Sequence, residues 1–342
     1  MVVVVTGMHR SGTSSIARAV SRLGVDLGAE LLAADPSNPR GYFEDRVFVE
    51  LHRRMLTAAV DTGVDGWHEC GWTDPDTFDP SALGSFRAEA ERLAEQRSSA
   101  GRPWGFKDPR GSLTLGLWAE VLPDARYVVV YREPWAVADS LLRKGEGPFL
   151  AHPDWAVKVW IAYNARLLDF ARTHREQCLL VSLDAIRSDP EPVIAQLAAA
   201  VGGSAVERVP DAVAAIEPGL LGDENVLLQR VVREAVPECV ALLAELDAQS
   251  GSGVRGRVPP PALGLARDDA AELLACWGSG PAAVQQLARA HVEQARLLAE
   301  LERVAEESRA RQALYLDKER ESLARRDYIE ELEARLKARD QG

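Results

Sequence analysis

Short apolar runs punctuate the first two hundred residues, and each hands over to a stretch of helical periodicity. Val2-Val3-Val4-Val5 is continuously β-branched, the composition of a strand buried on both faces. Ser14–Leu23 follows with Ile16, Ala19, Val20 and Leu23 on one helical face, and Gly24 is placed to cap it. Trp104-Gly105-Phe106 reads as a second strand, Arg126–Tyr131 as a third and Cys178–Ser182 as a fourth. The intervening pattern predicts helices over Val47–Ala59, Ser85–Ser98, Trp135–Leu142, Trp155–His174 and Glu191–Val201. Strands separated by helices imply right-handed crossovers, hence an α/β fold in three layers, a parallel sheet flanked by helices.

The α/β core takes up residues 1–203. Residues 35–41 and 61–84, rich in Gly, Asp and Pro, read as surface loops. Residues 204–249 form a helical extension with one helix over Glu224–Gln249. Residues 250–281 read as a linker with a short helical segment. Residues 282–342 are nearly free of Gly and Pro and rich in Ala, Glu, Arg and Leu, which predicts a long C-terminal helix. A heptad seam runs through Leu297, Leu301 and Val304 and resumes at Ile329, Leu332 and Leu336; Ser308, Arg311 and Ser322 interrupt it. Two readings stand: a solvated single helix, or a coiled coil through which the chain forms a homo-oligomer.

The 342 residues carry a formal net charge of −12, with 46% hydrophobic and 27% charged residues, which excludes a disordered chain. The acidic balance argues against a nucleic-acid partner but leaves room for a local basic pocket. No apolar run approaches the length of a membrane span or a leader, so the expected location is cytoplasmic. The Ala and Arg content fits a GC-rich bacterial genome. Four scattered cysteines without a C-x-x-C, and six histidines without H-E-x-x-H or H-x-H, predict neither a disulfide framework nor a metal site.

The candidate chemistry starts where the first strand ends. Gly7-Met8-His9-Arg10-Ser11-Gly12-Thr13-Ser14 links a strand to a helix, with the G-x-x-x-x-G spacing of a nucleotide P-loop. Glycines let successive backbone N–H groups turn inward on an anion, and the helix N-terminus adds its dipole. A nucleoside triphosphatase needs Lys after the second glycine; Thr13 stands there instead. Arg10 is the basic side chain that can enter the hollow. A P-loop nucleotide kinase or NTPase-like protein, and a non-catalytic scaffold, are the alternatives to the reading that follows.

At these residues the chain resembles PAPS-dependent sulfotransferases, whose phosphosulfate loop reads basic-Ser-Gly-Thr-[Ser/Thr] after a first strand. Here it is Arg10-Ser11-Gly12-Thr13-Ser14. That family binds the 3′-phosphate of PAPS with an Arg at a strand end and a Ser eight residues on; Arg132 and Ser140 match, and Lys144 stands where some branches add a basic residue. Phe106-Lys107-Asp108-Pro109-Arg110 resembles the K-x-P-R of bacterial and glycan-type members. Pro109 stands where the cytosolic branch carries a catalytic His. Leu179–Asp184 with Asp189-Pro190 resembles the family's last core strand and the loop after it.

The resemblance implies a P-loop-type sheet and transfer of a sulfuryl group from PAPS to an acceptor hydroxyl, on a carbohydrate or glycolipid, releasing PAP without a metal. Arg10, Ser11, Gly12, Thr13, Ser14 and Ser15 would hold the 5′-phosphosulfate; Arg132, Ser140 and Lys144 the 3′-phosphate. Lys107 would stabilise charge on the sulfuryl group. Glu44 is the expected general base, with Asp108, Glu30, Asp45 and His52 as rivals. His9 and His52 read as structural. Trp67, Trp72 and Trp104 are candidates to line an acceptor site.

Overall fold

The computed structural model describes residues 1–35, 38, 40–61, 63–73, 77–145, 147–216, 225–250, 259–277 and a scatter of residues between 296 and 326. The chain divides into two compact units, Met1–Val284 and Gln285–Gly342. In the first, β1 (Val2–Thr6) leads into α1 (Thr13–Arg22), and α2 (Arg46–Ala59) follows. A hairpin of β2 (Gly66–Trp67) and β3 (Trp72–Thr73) precedes α3 (Arg87–Ser98). Then come β4 (Trp104–Lys107), a 3₁₀ turn over Pro109–Leu113, and α4 (Leu115–Val121). Next are β5 (Arg126–Tyr131), α5 (Pro134–Lys144), α6 (Gly147–Ala151) and α7 (Trp155–Thr173). β6 (Cys178–Ser182), α8 (Leu183–Ser188), α9 (Pro190–Val201) and α10 (Val209–Ala214) complete the α/β part.

The main sheet has the order β4-β1-β5-β6 with every pairing parallel. The two-residue period of a strand assigns its faces. Val3, Val5, Val128, Val130 and Val181 share a buried cluster with Ile16 and Val20 of α1 and Ile194 and Leu197 of α9. On the opposite face Phe106 stacks on Phe48 of α2 with centroids 4.3 Å apart, and Tyr127 meets Phe170 of α7 edge-on at 4.9 Å. Both faces are covered, which is why the strands read as unbroken apolar runs. β1 lies between its later neighbours β4 and β5, so the chain switches sides of β1 between them, and the crevice at their carboxyl ends opens there.

Two expectations need correction. Glu224–Gln249 is not one helix: α11 (Val226–Ala235) ends before Pro237, which opens α12 (Pro237–Ser250), because proline cannot donate to the preceding turn. Residues 61–84 are not a plain surface loop. The β2–β3 hairpin buries Cys70, Trp72 and Thr73, and strands of two residues are too short to show periodicity. Further on, α13 (Arg267–Ala275) buries Leu273 and Leu274, and the Glu234 carboxylate of α11 accepts from the N–H groups of Leu263, Gly264 and Leu265. No helix among the described residues is long and apolar enough to cross a membrane.

In the second unit residues 303–312 are helical, with Arg303 Nη1 2.7 Å from Glu307 across one turn. Leu297, Leu301 and Val304 are exposed. Ile329, Leu332 and Leu336 lie outside the described residues, as do 251–258 of the expected linker.

The loop after β1 depends on two glycines. Gly7 has φ 147°, and a Cβ there would lie 2.1 Å from the Val130 carbonyl oxygen. Gly12 has φ 86°, and its Cβ would meet the Leu183 side chain at 2.4 Å. We expect Gly7→Ala to lower stability by at least about 2 kcal/mol, from backbone strain and overpacking together. Gly12→Ala should cost less, because a leucine terminus can turn aside and a backbone carbonyl cannot. Urea denaturation midpoints at unchanged m-value check the order.

Candidate active site

The loop from Gly7 to Gly12 turns at the carboxyl edge of the sheet with Arg10 itself at φ 68°. Gly12, left-handed, opens α1; that helix has no side-chain cap and no acidic residue in its first turn. The N–H groups of Thr13 and Ser14 therefore lack an intrahelical acceptor, whereas that of Ser15 donates to the Gly12 carbonyl at 3.0 Å. The Ser11 hydroxyl is buried with no hydrogen-bond partner among the described residues.

Arg10 and Arg132 meet in one crevice. Arg10 Nε donates to Ser140 Oγ at 2.8 Å, and Arg132 Nη1 reaches the Arg10 carbonyl oxygen at 3.4 Å. Arg132 is held at the end of β5 by Trp160, whose indole N–H donates to the Arg132 carbonyl at 2.9 Å. Burial lowers the pKa of Arg132; Arg187 and Arg10 push the same way, against Glu133 and Asp184. Guanidinium groups that disfavour one another's charge make a site for an anion. Ser140 is expected beside Arg132; here its hydroxyl accepts from Arg10. Thr13 is buried, Ser15 half-buried at the start of α1, and Lys144 exposed at the end of α5.

A second cluster lies where β4 ends. Lys107 is buried, and its Nζ donates to Glu44 Oε1 at 2.6 Å, to the Tyr42 carbonyl at 3.1 Å and to Ser14 Oγ at 3.3 Å. Ser14 Oγ also accepts from Asn38 Nδ2 at 3.1 Å, tying α1 to the segment before α2. Glu44 Oε2 faces Arg110 Nη1 at 3.3 Å, and the same nitrogen donates to Asp108 Oδ1 at 3.1 Å. Thr6 Oγ1 donates to the Asp108 carbonyl at 2.8 Å and accepts from Ser112 Oγ at 2.9 Å, so Ser112 pins β1 to the 3₁₀ turn.

Asp108 Oδ2 pairs with His52 Nδ1 at 2.9 Å, while His52 Nε2 lies 2.8 Å from the indole N–H of Trp118. An indole only donates, so Nε2 is the acceptor and Nδ1 carries the proton toward Asp108. Burial alone would raise the Asp108 carboxyl; Arg110 first, then His52, overcome it and hold the group well below its usual range. Asp45 caps α2 through the Val47 N–H and faces Arg97 Nη1 at 3.6 Å, and Glu30 is exposed. Trp104 donates to Ser98 and is buried at the far end of β4, away from the crevice. His9 lies edge-on to Trp72 with centroids 4.8 Å apart.

Arg110 is the member of this cluster to which sequence reasoning gave no role, although it stands in the motif that drew attention to Lys107. Arg187 carried no signal at all. Among the described residues no group of His, Cys, Asp and Glu could hold a metal ion.

A model described as "Sulfotransferase family" matches residues 3–206. The chain belongs to this family. It is accordingly a PAPS-dependent sulfotransferase, with PAPS as sulfuryl donor and PAP as product. Solved structures resemble it distantly. The sulfotransferase domain from the Synechococcus PCC 7002 olefin synthase is 18% identical over 75% of this chain and 95% of that one, with TM-score 0.39. Sulfotransferase STF9 from Mycobacterium avium is 15% identical over 69% and 76%, with TM-score 0.40. STF1 from Mycobacterium tuberculosis H37Rv is 15% identical over 67% and 74%, with TM-score 0.36. No curated protein matches the chain. The uncapped helix start, the orphaned Ser11 hydroxyl and the arginines gathered around Arg132 fit a doubly phosphorylated anion.

Glu44→Ala would leave Lys107 and Arg110 buried with one carboxylate fewer. We expect a loss of about 3–5 kcal/mol in urea unfolding, the scale for breaking a buried pair. Asp108 gives a pH signature. A depressed carboxyl stabilises the fold fully above its unfolded pKa, and the contribution fades as pH falls toward the folded value. The stability gap between the parent protein and Asp108→Asn should be largest at neutral pH. It should narrow progressively below about pH 4; a gap that widens there would refute the assignment.

Proposed function

We propose that this protein transfers the sulfuryl group of PAPS to a hydroxyl of a carbohydrate acceptor. The observation that carries the reading is the shared crevice in which Arg10, Ser140 and Arg132 converge. Bound PAPS supplies a sulfuryl group whose in-line transfer needs positioning and charge stabilisation rather than covalent help from the protein. The loop amides from Gly12 to Ser14, with Arg10 and the Ser11, Thr13 and Ser14 hydroxyls, bind the 5′ end. Arg132 and Ser140 bind the 3′-phosphate, with Lys144 at the rim.

Lys107 serves the transferred group. Its weakest contact is the 3.3 Å one to Ser14, so it turns toward a sulfuryl oxygen by giving up that bond while Glu44 keeps it upright. Both Glu44 oxygens are engaged, Oε1 by Lys107 Nζ at 2.6 Å and Oε2 by Arg110 Nη1 at 3.3 Å. We assign Glu44 to orienting Lys107 and Arg110 rather than to taking the acceptor proton. The acceptor class follows from the aromatic wall beside the loop. Trp67 meets Trp72 edge-on at 5.4 Å, Trp72 meets Phe149 at 5.0 Å, and Trp67 keeps 38% of its surface exposed. The exposed Trp67 ring, backed by buried Trp72 and Phe149, suits the apolar face of a sugar.

PAP at a hundredfold excess over its Kd should stabilise the protein by about 2.7 kcal/mol, read as a thermal shift. Mg-ADP should give little, and the reverse ranking would favour a nucleotide kinase. Arg132→Ala should cost about 1.5–3 kcal/mol in PAP affinity and far less for adenosine 5′-phosphosulfate, which lacks the 3′-phosphate. Equal losses would remove Arg132 from that site. Labelled PAPS offered with glycans, lipids and phenols identifies the acceptor; turnover of phenols alone would refute the carbohydrate assignment.

A further inference from the structure

An acceptor hydroxyl must lose a proton as it is sulfated, and the acidic groups around Lys107 are already engaged. Glu44 answers Lys107 and Arg110; Asp108 answers Arg110 and His52; both ring nitrogens of His52 are bonded. The imidazole beside the anion loop differs. His9 Nδ1 and Nε2 are both buried, and neither has a hydrogen-bond partner among the described residues. The Trp72 ring against which His9 lies has a buried indole N–H in the same condition. Buried polar groups are ordinarily matched, so two unmatched ones in contact point to a polar group that belongs between them. A neutral imidazole offers one N–H and one lone pair, and the indole one N–H. That set complements a hydroxyl, which accepts one hydrogen bond and donates another.

We propose that His9 takes the acceptor proton, its unmatched ring nitrogens and the Trp72 indole N–H being the partners of the acceptor hydroxyl. The inference rests on the donor reading above. In the transfer the acceptor oxygen bonds to sulfur, and the bond from sulfur to the bridging oxygen breaks with its electron pair leaving on PAP. The hydroxyl proton passes to the His9 lone pair. The titratable groups around the imidazole are Lys107, Asp108 and Arg110 at the end of β4, Lys144 of α5 and Tyr163 of α7. Burial first, then Arg110, Lys107 and Lys144, against Asp108, hold it well below its ordinary range and keep it neutral. Lys107 reaches Ser14 at the helix start that opens on the crevice, and Lys144 ends α5. A phosphosulfate beside them offsets part of their charge, so the opposition to an imidazolium eases while the share due to burial stays. The base is thus stronger with the donor in place.

The test uses PAP as the probe. Calorimetric titration of the full chain near pH 6.5, in two buffers of different ionisation heat, counts the protons taken up on binding. The parent protein should take up more than His9→Gln, with the PAP Kd within about threefold between them. Equal proton counts would overturn the proposal. On the acceptor that the labelled-PAPS panel identifies, kcat should fall about 10²–10⁴-fold in His9→Gln at unchanged KM for PAPS; an unchanged kcat would overturn it too. Should the variant fail to fold, ¹⁵N-histidine spectra of the parent protein decide: one imidazole gains a proton when PAP is added, and no change in any imidazole refutes the role. Failure of PAP to bind the parent protein would instead bring down the donor reading and this inference with it.

Discussion

Lys107 is a lysine buried at the end of a central strand, and the geometry of the crevice follows from what that requires. An unpaired ammonium there would carry a desolvation penalty of several kcal/mol. Glu44 answers it, but a lone ion pair leaves further donors and lone pairs unmatched. Arg110 and Asp108 extend the pair to two cations and two carboxylates, so the formal charges cancel inside the fold. His52 and Trp118 then close the chain with neutral groups. Each link fixes a different piece of backbone: the start of α2, the turn after β4, and α4. Removing any one exposes the cost carried by the others.

The arginine crevice is built on the opposite principle. Arg10 and Arg187 both act on Arg132, with Glu133 and Asp184 as the opposing charges; burial first, and the two arginines after it, lower its pKa. Such an arrangement gives up stability in the ligand-free protein and recovers it when an anion binds. The balanced network and the crowded one meet at Ser14. Its hydroxyl touches Lys107, and its backbone belongs to the helix start that faces the anion. A rigid neutral scaffold thereby holds one end of a cationic crevice at a fixed distance from Lys107.

The four main strands were legible because burial on both faces leaves mostly apolar residues, and the loop glycines because positive φ angles strain residues with a Cβ. The meeting of Arg10 with Arg132 was legible too, since both stand at carboxyl ends of parallel strands. The partner of Ser140 was not: position along a helix says which crevice a hydroxyl faces, but not which of two arginines reaches it. Glu44 was found from its place before α2, yet its double ion pair depends on Arg110, which only the 3₁₀ turn brings round. The β2–β3 hairpin and its buried Trp72 left no periodic trace, so the environment of His9 was invisible from the chain alone.

The strand order explains why these parts assemble at all. A loop after an edge strand would have one neighbouring strand end to work with; β1 has two, β4 on one side and β5 on the other. Lys107 ends the first and Arg132 follows the second, so the two proposed ends of the donor site flank the same turn. The β2–β3 hairpin rests on α6 and α7, where Trp72 meets Phe149 and the Tyr163 hydroxyl donates to the Cys70 carbonyl, and that footing carries Trp72 over His9.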